Sequence, residues 1–305
     1  MSPPTSNRMY LPQKATADII NYAWQLKRNG RAESTITTTT ARLTRLNKLC
    51  NIYNPEKVKD VLATLNWKNS TKDTTVILYN GFVKHIGQTW EKPRYRRETT
   101  IPFIPTEKEI DTLISGASPR IATLLQIPKE TGARIGEVDT AKWTDIDLER
   151  QTINIHAEKN SNPRILPISK KLVAMLNNLP RTNDDVFQTK KHGLRRTYEG
   201  LRKRMATKLN NPRLKKITFH TFRHWKATME YHNTKDIIHV MKTLGHKNIK
   251  NTLIYINTES AIFLSNNDEW ICKIATNTDE AKTLIEVGFE YITEKDGKML
   301  FRKRK

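Results

Sequence analysis

The 305-residue sequence has only two cysteines, Cys50 and Cys272, too few and too far apart for a disulfide scaffold or a thiolate metal site. No apolar run approaches the roughly 18 residues needed to cross a bilayer. The opening residues, Met1 to Arg8, lack the apolar stretch of a secretory signal. With 11 glycines and 13 prolines the chain is neither collagen-like nor of low complexity, and 37% hydrophobic residues suffice to fill real cores. Acid is what the chain is short of: 31 Asp+Glu stand against 53 Lys+Arg, a net charge of +22. These features lead us to expect a cytoplasmic protein of two domains, with room for an extra module and a polyanionic partner.

The excess charge is not confined to one tail. Residues 1–98 hold 17 basic against 7 acidic side chains, residues 99–265 hold 28 against 16, and residues 266–305 hold 8 of each. Charge spread over two folded bodies favours a duplex gripped between them, with counterion release supplying affinity, over an anionic lipid surface.

Along the chain, residues 15–30 and 34–50 read as helices, the second capped by Ser34 and carrying Leu43, Leu46 and Leu49. Pro55 opens a third helix with Val58, Val61, Leu62 and Leu65 on one face, and a fourth covers about 72–88. Residues 1–90 thus form a small helical domain. Residues 91–104 carry prolines and no periodicity and read as a linker; Lys92, Arg94, Arg96 and Arg97 either track a phosphate backbone or are simply solvated. A second domain, 105–265, opens on Thr106 as a helix cap. Pro128 should kink or restart the helix that precedes Gly132. Residues 152–157 alternate with period two and 164–168 supply a second strand, with Lys159 near the hairpin tip. Residues 190–216 hold 11 Lys/Arg, Arg195, Arg196, Arg202 and Lys203 among them, against the single acid Glu199. Helices at about 219–231 and 235–244 follow, the latter ending at Gly245. The fold class expected is mainly α with a small antiparallel sheet (α+β).

The most informative stretch is TFHTFRHWKAT, residues 218–228. His220 and Arg223 lie at i and i+3 near a helix N-terminus, whose free N–H groups and dipole suit a phosphate. His246 follows Gly245, and Tyr255 lies nine residues further on at the end of an apolar helix; upstream are Arg134 in TGARIGEV (131–138) and Lys159. Two arginines, a lysine, two histidines and a tyrosine, without a carboxylate cluster, fit phosphoryl transfer. Each alone has a plainer reading. The arginines suit phosphate anchoring, Tyr255 a half-buried core position, and Lys159 a solvated hairpin with Lys170 and Lys171 nearby. His220 and His224, at i and i+4, have the spacing of a metal pair, though no comparable ligand set accompanies them. Glu137 suits orienting Arg134, and Trp225 suits packing beneath the site.

In order and spacing these residues resemble the tyrosine recombinases, the phage integrase family, over roughly residues 12–260 and most specifically over 131–255. TGARIGEV resembles the family's first arginine box, KWTDID (142–147) its lead-in to the hairpin, and His220, Arg223, His246 and Tyr255 its second box and nucleophile. The resemblance implies a SAM-like helical core-binding domain, a catalytic domain, and cleavage of double-stranded DNA through a 3′-phosphotyrosyl link. Arg134 and Arg223 would clamp the non-bridging oxygens, Tyr255 would attack phosphorus, Lys159 would protonate the leaving 5′-oxygen, and His220 and His246 would bond the phosphate. The covalent link stores the phosphodiester energy, so no metal and no other cofactor is implied. The enzyme would be a monomer or weak dimer alone and a homotetramer on two paired recombination sites, nucleoid-associated and off the membrane. Integrase of a mobile element or virus leads; a chromosome-dimer resolvase, a type IB topoisomerase and a non-catalytic DNA-binding regulator are the alternatives.

The tail, 266–305, reads as one or two helices over 268–287 followed by a hairpin turning at Asp296-Gly297. Its even charge balance suits docking on a neighbouring protomer better than binding DNA.

Overall fold

The computed structural model describes residues 12–98, 100–158, 161–187, 191–263 and 270–304. The chain divides into two compact units between Thr100 and Ile101. It is mainly helical with small antiparallel sheets, and no described helix is long and apolar enough to cross a membrane.

The first unit holds four helices, α1 (Pro12–Arg28), α2 (Glu33–Leu49), α3 (Pro55–Thr64) and α4 (Asn69–His85). Their apolar faces meet in a core that includes Ile19, Leu43, Leu46, Val58, Leu62, Val76, Tyr79 and Phe82. Asn54 caps α3, its Oδ1 accepting from the N–H groups of Glu56 and Lys57. Ser34 does not cap α2: Ala32 holds that position and Ser34 lies within the first turn, where Glu33 sets a negative charge against the helix dipole. α4 starts three residues earlier than its pattern suggests and buries Thr75, Val76, Tyr79, Phe82 and Val83, leaving Ile77 58% exposed. Beyond α4, Trp90 meets Tyr79 edge-on at 4.8 Å, Lys72 lies over the Tyr95 ring, and Arg97 Nε reaches Asp73 Oδ2 at 2.7 Å.

The second unit begins with α5 (Glu107–Ser115), which Thr106 caps reciprocally with Glu109. α6 (Pro119–Thr131) and α7 (Ile135–Asp139) follow. No restart occurs at Pro128; α6 runs through it as one helix. Residues 121–129 are all buried, and packing on every side offsets the one backbone bond that proline deletes. Strands β1 (Ile146–Asp147), β2 (Thr152–Ile155) and β3 (Arg164–Pro167) form an antiparallel sheet in that order. Then come α8 (Lys170–Asn177), α9 (Lys191–Lys208), α10 (Phe219–Thr234), α11 (Ile237–Leu244) and α12 (Ile254–Phe263). α10 runs past residue 231 because Lys235 (φ 51°) closes it in the left-handed conformation, and Asp236 then caps α11 through Ile238 and His239. The core joins α5, α6, α8, α9, α10 and the sheet through Leu113, Leu124, Ile153, Leu172, Tyr198 and Phe222.

The C-terminal segment folds as β4 (Trp270–Ala275), α13 (Thr278–Glu286), β5 (Glu290–Lys295) and β6 (Lys298–Arg304), with β6 central in the order β4-β6-β5. The expectation of helix over 268–287 is corrected in its first part. Residues 270–275 pair antiparallel with β6 along their whole length, which buries Ala275 in one cluster with Phe301. The β5–β6 turn uses Asp296 (φ 56°) and Gly297 (φ 69°), the two positive φ values of a type I′ hairpin.

Candidate active site

Two left-handed glycines bring distant parts of the second unit together. Gly132 (φ 65°) ends α6 and Gly245 (φ 67°) ends α11. A side chain at 132 would strike Leu244, and one at 245 would lie 2.6 Å from the Asn162 carbonyl, so glycine serves both the backbone and the close approach. Asn162 donates its backbone N–H to Gly245 O at 2.9 Å, tying the hairpin return to the loop before His246.

Arg223 projects from α10 between these two ends. It is 1% exposed, and its guanidinium donates to Gly132 O at 2.8 Å and Leu244 O at 2.6 Å. Two of its five donors are thereby fixed and the fork is aimed. Burial and the nearby Arg134 lower its pKa to about 10, which still leaves it charged at neutral pH.

Arg134 precedes α7 in extended backbone, which turns its side chain out of the helix. Its backbone N–H donates to Glu137 Oε2 at 2.9 Å and its Nη1 to Glu137 Oε1 at 3.0 Å. The same carboxylate receives Arg164 Nη2 at 2.8 Å and the Ser161 hydroxyl at 3.1 Å. Burial would raise the Glu137 pKa, but the hydrogen bonds from Arg164 and the Arg134 N–H, with both positive charges, bring it down to about 2. Among the described residues Arg134 and Arg164 thus share the Glu137 carboxylate while Arg223 is held by carbonyls, so the three arginines carry two more positive charges than that carboxylate offsets.

His246 is buried, with Nδ1 2.9 Å from Thr252 Oγ1, and burial beside Arg223, Arg134 and Arg164 lowers its pKa to about 4. His220 stands exposed in the first turn of α10, its ring edge-on to His224 at 4.4 Å. Tyr255 sits at the start of α12, not at a helix end as its sequence context suggests, because the chain enters α12 only at Ile254. It packs with Ala227, Val240 and Leu244, and its hydroxyl lies 3.2 Å from His224 Nδ1. Burial pushes its phenol up to about 12 against the pull of Arg223 and Arg134. Further along α12, Glu259 accepts from His232 at 2.8 Å and from Lys235, and His232 stacks on Phe263, so the tyrosine's helix is fastened to α10.

The structure therefore brings Arg134, His220, Arg223, His246 and Tyr255 to one place. Lys159 lies outside the described residues. Two members of the cluster carry no phosphate-directed role on sequence grounds. Arg164 meets Glu137 across 27 residues, and its only local signal is an arginine opening an otherwise apolar strand. His224 stands out in the sequence only as half of a metal-spaced pair. Among the described residues no group of three or more His, Cys, Asp or Glu side chains has the arrangement to hold a metal ion. Trp225 is buried in the core with Lys129 over its ring at 5.6 Å.

A cleft of about 490 Å³ lies alongside, walled by α7, α9 and the start of α10, with His220, Arg195 and Arg202 on its lining. On α9, Leu194, Tyr198 and Leu201 face the core, leaving Arg195, Arg196 and Lys203 in solvent. Arg202 differs: its Nη1 donates to Lys215 O at 2.6 Å and its guanidinium lies over Tyr198. Lys92, Arg94 and Arg96 are set on the first unit beyond α4, where Arg97 is paired with Asp73.

The model of the phage integrase family matches residues 105–261. A probable integrase/recombinase of Methanocaldococcus jannaschii is 24% identical over 273 residues, covering 76% of this chain and 83% of its own length. A tyrosine recombinase of Thermosipho africanus is 27% identical over 246 residues, 70% of this chain and 84% of its own. In fold, the chain is similar to the XerH site-specific recombinase bound to its difH substrate, with a TM-score of 0.58 at 19% identity over 86% of this chain and 91% of that one.

Proposed function

The chain belongs to the phage integrase family, whose members are tyrosine recombinases that cut and rejoin DNA, and from that membership we propose that it is the site-specific integrase of a mobile element or virus, with Tyr255 as nucleophile. The observation that carries the catalytic reading is the tyrosine hydroxyl set within the field of two fixed arginines, in a site with two positive charges to spare. A phosphorane-like transition state carries two negative charges, so the site is complementary to it and over-charged without it.

In this reading Arg134 and Arg223 hold the non-bridging oxygens, and His220 and His246 bond the phosphate. Tyr255 attacks phosphorus, the 3′-phosphotyrosyl bond forms as the bond to the 5′-oxygen breaks, and Lys159 supplies the leaving oxygen with its proton. His246, buried and neutral, can donate or accept at the phosphate without adding to the cationic surplus. Arg195, Arg196, Arg202 and Lys203 on α9, with Lys92, Arg94, Arg96 and Arg97 on the first unit, supply phosphate contacts that set register without chemistry. Four copies act on two paired sites, and residues 270–304 contribute to holding the protomers together. The likeness to a probable integrase/recombinase over most of both chains supports the integrase reading, and the likeness to Xer recombinases supports chromosome-dimer resolution as the second reading.

Covalent trapping tests this. The protein is incubated with nicked fragments of host DNA and quenched in SDS, and the junctions of protein-linked DNA are sequenced, with Tyr255→Phe in parallel. A 3′-linked adduct formed by the wild type, absent from the variant and mapping to the ends of a mobile element is the expected result. Junctions at a single chromosomal site outside any element would instead assign dimer resolution, and DNA binding without any adduct would remove the nucleophile.

A further inference from the structure

Among the described side chains one hydrogen-bonding group reaches the Tyr255 oxygen, and it is none of those given a role above. His224 Nδ1 lies 3.2 Å from Tyr255 Oη. The direction of this bond follows from the chemistry of the neighbours. Arg223 and Arg134 have no acceptor, so the phenolic hydrogen finds none on them. An imidazole accepts only while neutral, and burial together with the charges of His220 and Arg223 keeps His224 neutral, its pKa lowered to about 4. The tyrosine therefore donates and Nδ1 accepts, which leaves the ring hydrogen on Nε2. The ring is also fixed in direction, edge-on to His220 at 81° with centroids 4.4 Å apart. His246 is committed elsewhere, its Nδ1 on Thr252.

We propose that His224 orients the Tyr255 hydroxyl and takes its proton as the phosphotyrosyl bond forms. The proposal rests on Tyr255 being the nucleophile. In the forward step the Oη–H bond breaks toward His224 Nδ1, giving an imidazolium, while Oη bonds to phosphorus and the bond from phosphorus to the 5′-oxygen breaks. The 5′-oxygen takes a separate proton from the acid of the site. In rejoining, the 5′-hydroxyl attacks phosphorus and gives its proton back to the group that served as acid, while the imidazolium returns its proton to the departing tyrosine oxygen. Burial is the first cause of the low basicity of His224, with the charges of His220 and Arg223 added to it. An anion seated on Arg223 offsets the charge part, so the base gains strength with DNA in place. Off DNA the phenol stays protonated.

The test uses the full-length protein and a nicked duplex carrying the junction sequence recovered from wild-type trapping, and measures the single-turnover rate of adduct formation alongside DNA affinity. His224→Leu removes the acceptor; His224→Asn keeps an acceptor oxygen but cannot take a proton. Both are expected to bind DNA as the wild type does, with cleavage slowed ~10²-fold or more for Leu and less for Asn. The decisive arm places a difluorinated tyrosine, a more acidic phenol, at position 255. It should restore much of the lost rate in either variant and change the wild type little, which a packing role for His224 would not produce. If His224→Leu does not fold, the His224→Asn pair with and without the fluorinated phenol decides. Cleavage by the variants within about threefold of wild type, or no gain from fluorination, overturns the proposal while leaving Tyr255 as nucleophile. No adduct from the wild type itself overturns both.

Discussion

Arg134, Arg164 and Arg223 and the basic residues of α9 are the same chemistry put to opposite uses. The site arginines have side chains 23%, 6% and about 1% exposed, and each is fixed by a carboxylate or by backbone carbonyls. Arg195, Arg196 and Lys203 stand in water, on the face of α9 that the core does not need. Desolvation makes a charge costly to bury and strong once aimed, and it removes the freedom to be anywhere else. A solvated arginine is cheap and screened, and it acts through the number of phosphates it neutralises. The first set is thus suited to a reaction and the second to holding a polyanion. The two sets should separate cleanly by experiment.

Arg223→Lys should break the comparison most severely. A lysine ammonium cannot reach Gly132 O and Leu244 O and still present a fork to phosphate, so adduct formation at saturating DNA should fall ~10²–10³-fold with little loss of affinity. A next and smaller effect is expected from Glu137→Gln, which leaves Arg134 and Arg164 buried against a neutral amide. It should cost ~3 kcal/mol, read as a fall in the thermal midpoint, and lower cleavage indirectly through a misplaced Arg134.

A third outcome concerns pH. His224 and His246 have folded pKa values near 4, below the unfolded value of about 6.5, so between these the unfolded chain binds more protons than the folded one. Stability of the DNA-free protein should therefore fall as pH drops from about 6.5 to 4 in denaturant titrations; His246→Asn should flatten that slope. The smallest effect on chemistry is expected from Arg195→Ala, Arg196→Ala and Lys203→Ala together. Cleavage at saturating DNA should be unchanged, and the slope of log affinity against log salt should shrink by ~0.9 for each phosphate no longer neutralised. Loss of cleavage at saturation by this triple variant would abolish the division between the two sets.

The legible parts of the site are those written as short patterns. HTFR at the start of a helix, an arginine two residues after a helix-ending glycine and a tyrosine nine residues after Gly245-His246 can be read from spacing, because turn and helix geometry act within a few residues. The α5 cap at Thr106 and the hairpin turn at Asp296-Gly297 are legible for the same reason. What escapes is whatever depends on a partner far along the chain. Glu137 is legible as a companion of Arg134, three residues away, but its second partner, Arg164, is brought to it by the sheet. β4 reads as helix from sequence because its six residues carry no period-two pattern, and only the pairing with β6 makes them a strand.

The sequence by itself determined the two helical faces and cores, the positive charge and its spread, and the identity and order of the reactive side chains. These follow from composition, periodicity and local backbone chemistry, which do not need a neighbour. Only the tertiary structure decided which arginines became dry and which stayed wet, that Pro128 is carried inside an unbroken helix, and that His224 rather than His246 touches the tyrosine oxygen. The physical reason is that burial and hydrogen-bond partnership belong to the packing of α6, α10, α11 and α12 together. The same arginine or histidine is inert or chemically poised according to what that packing sets beside it.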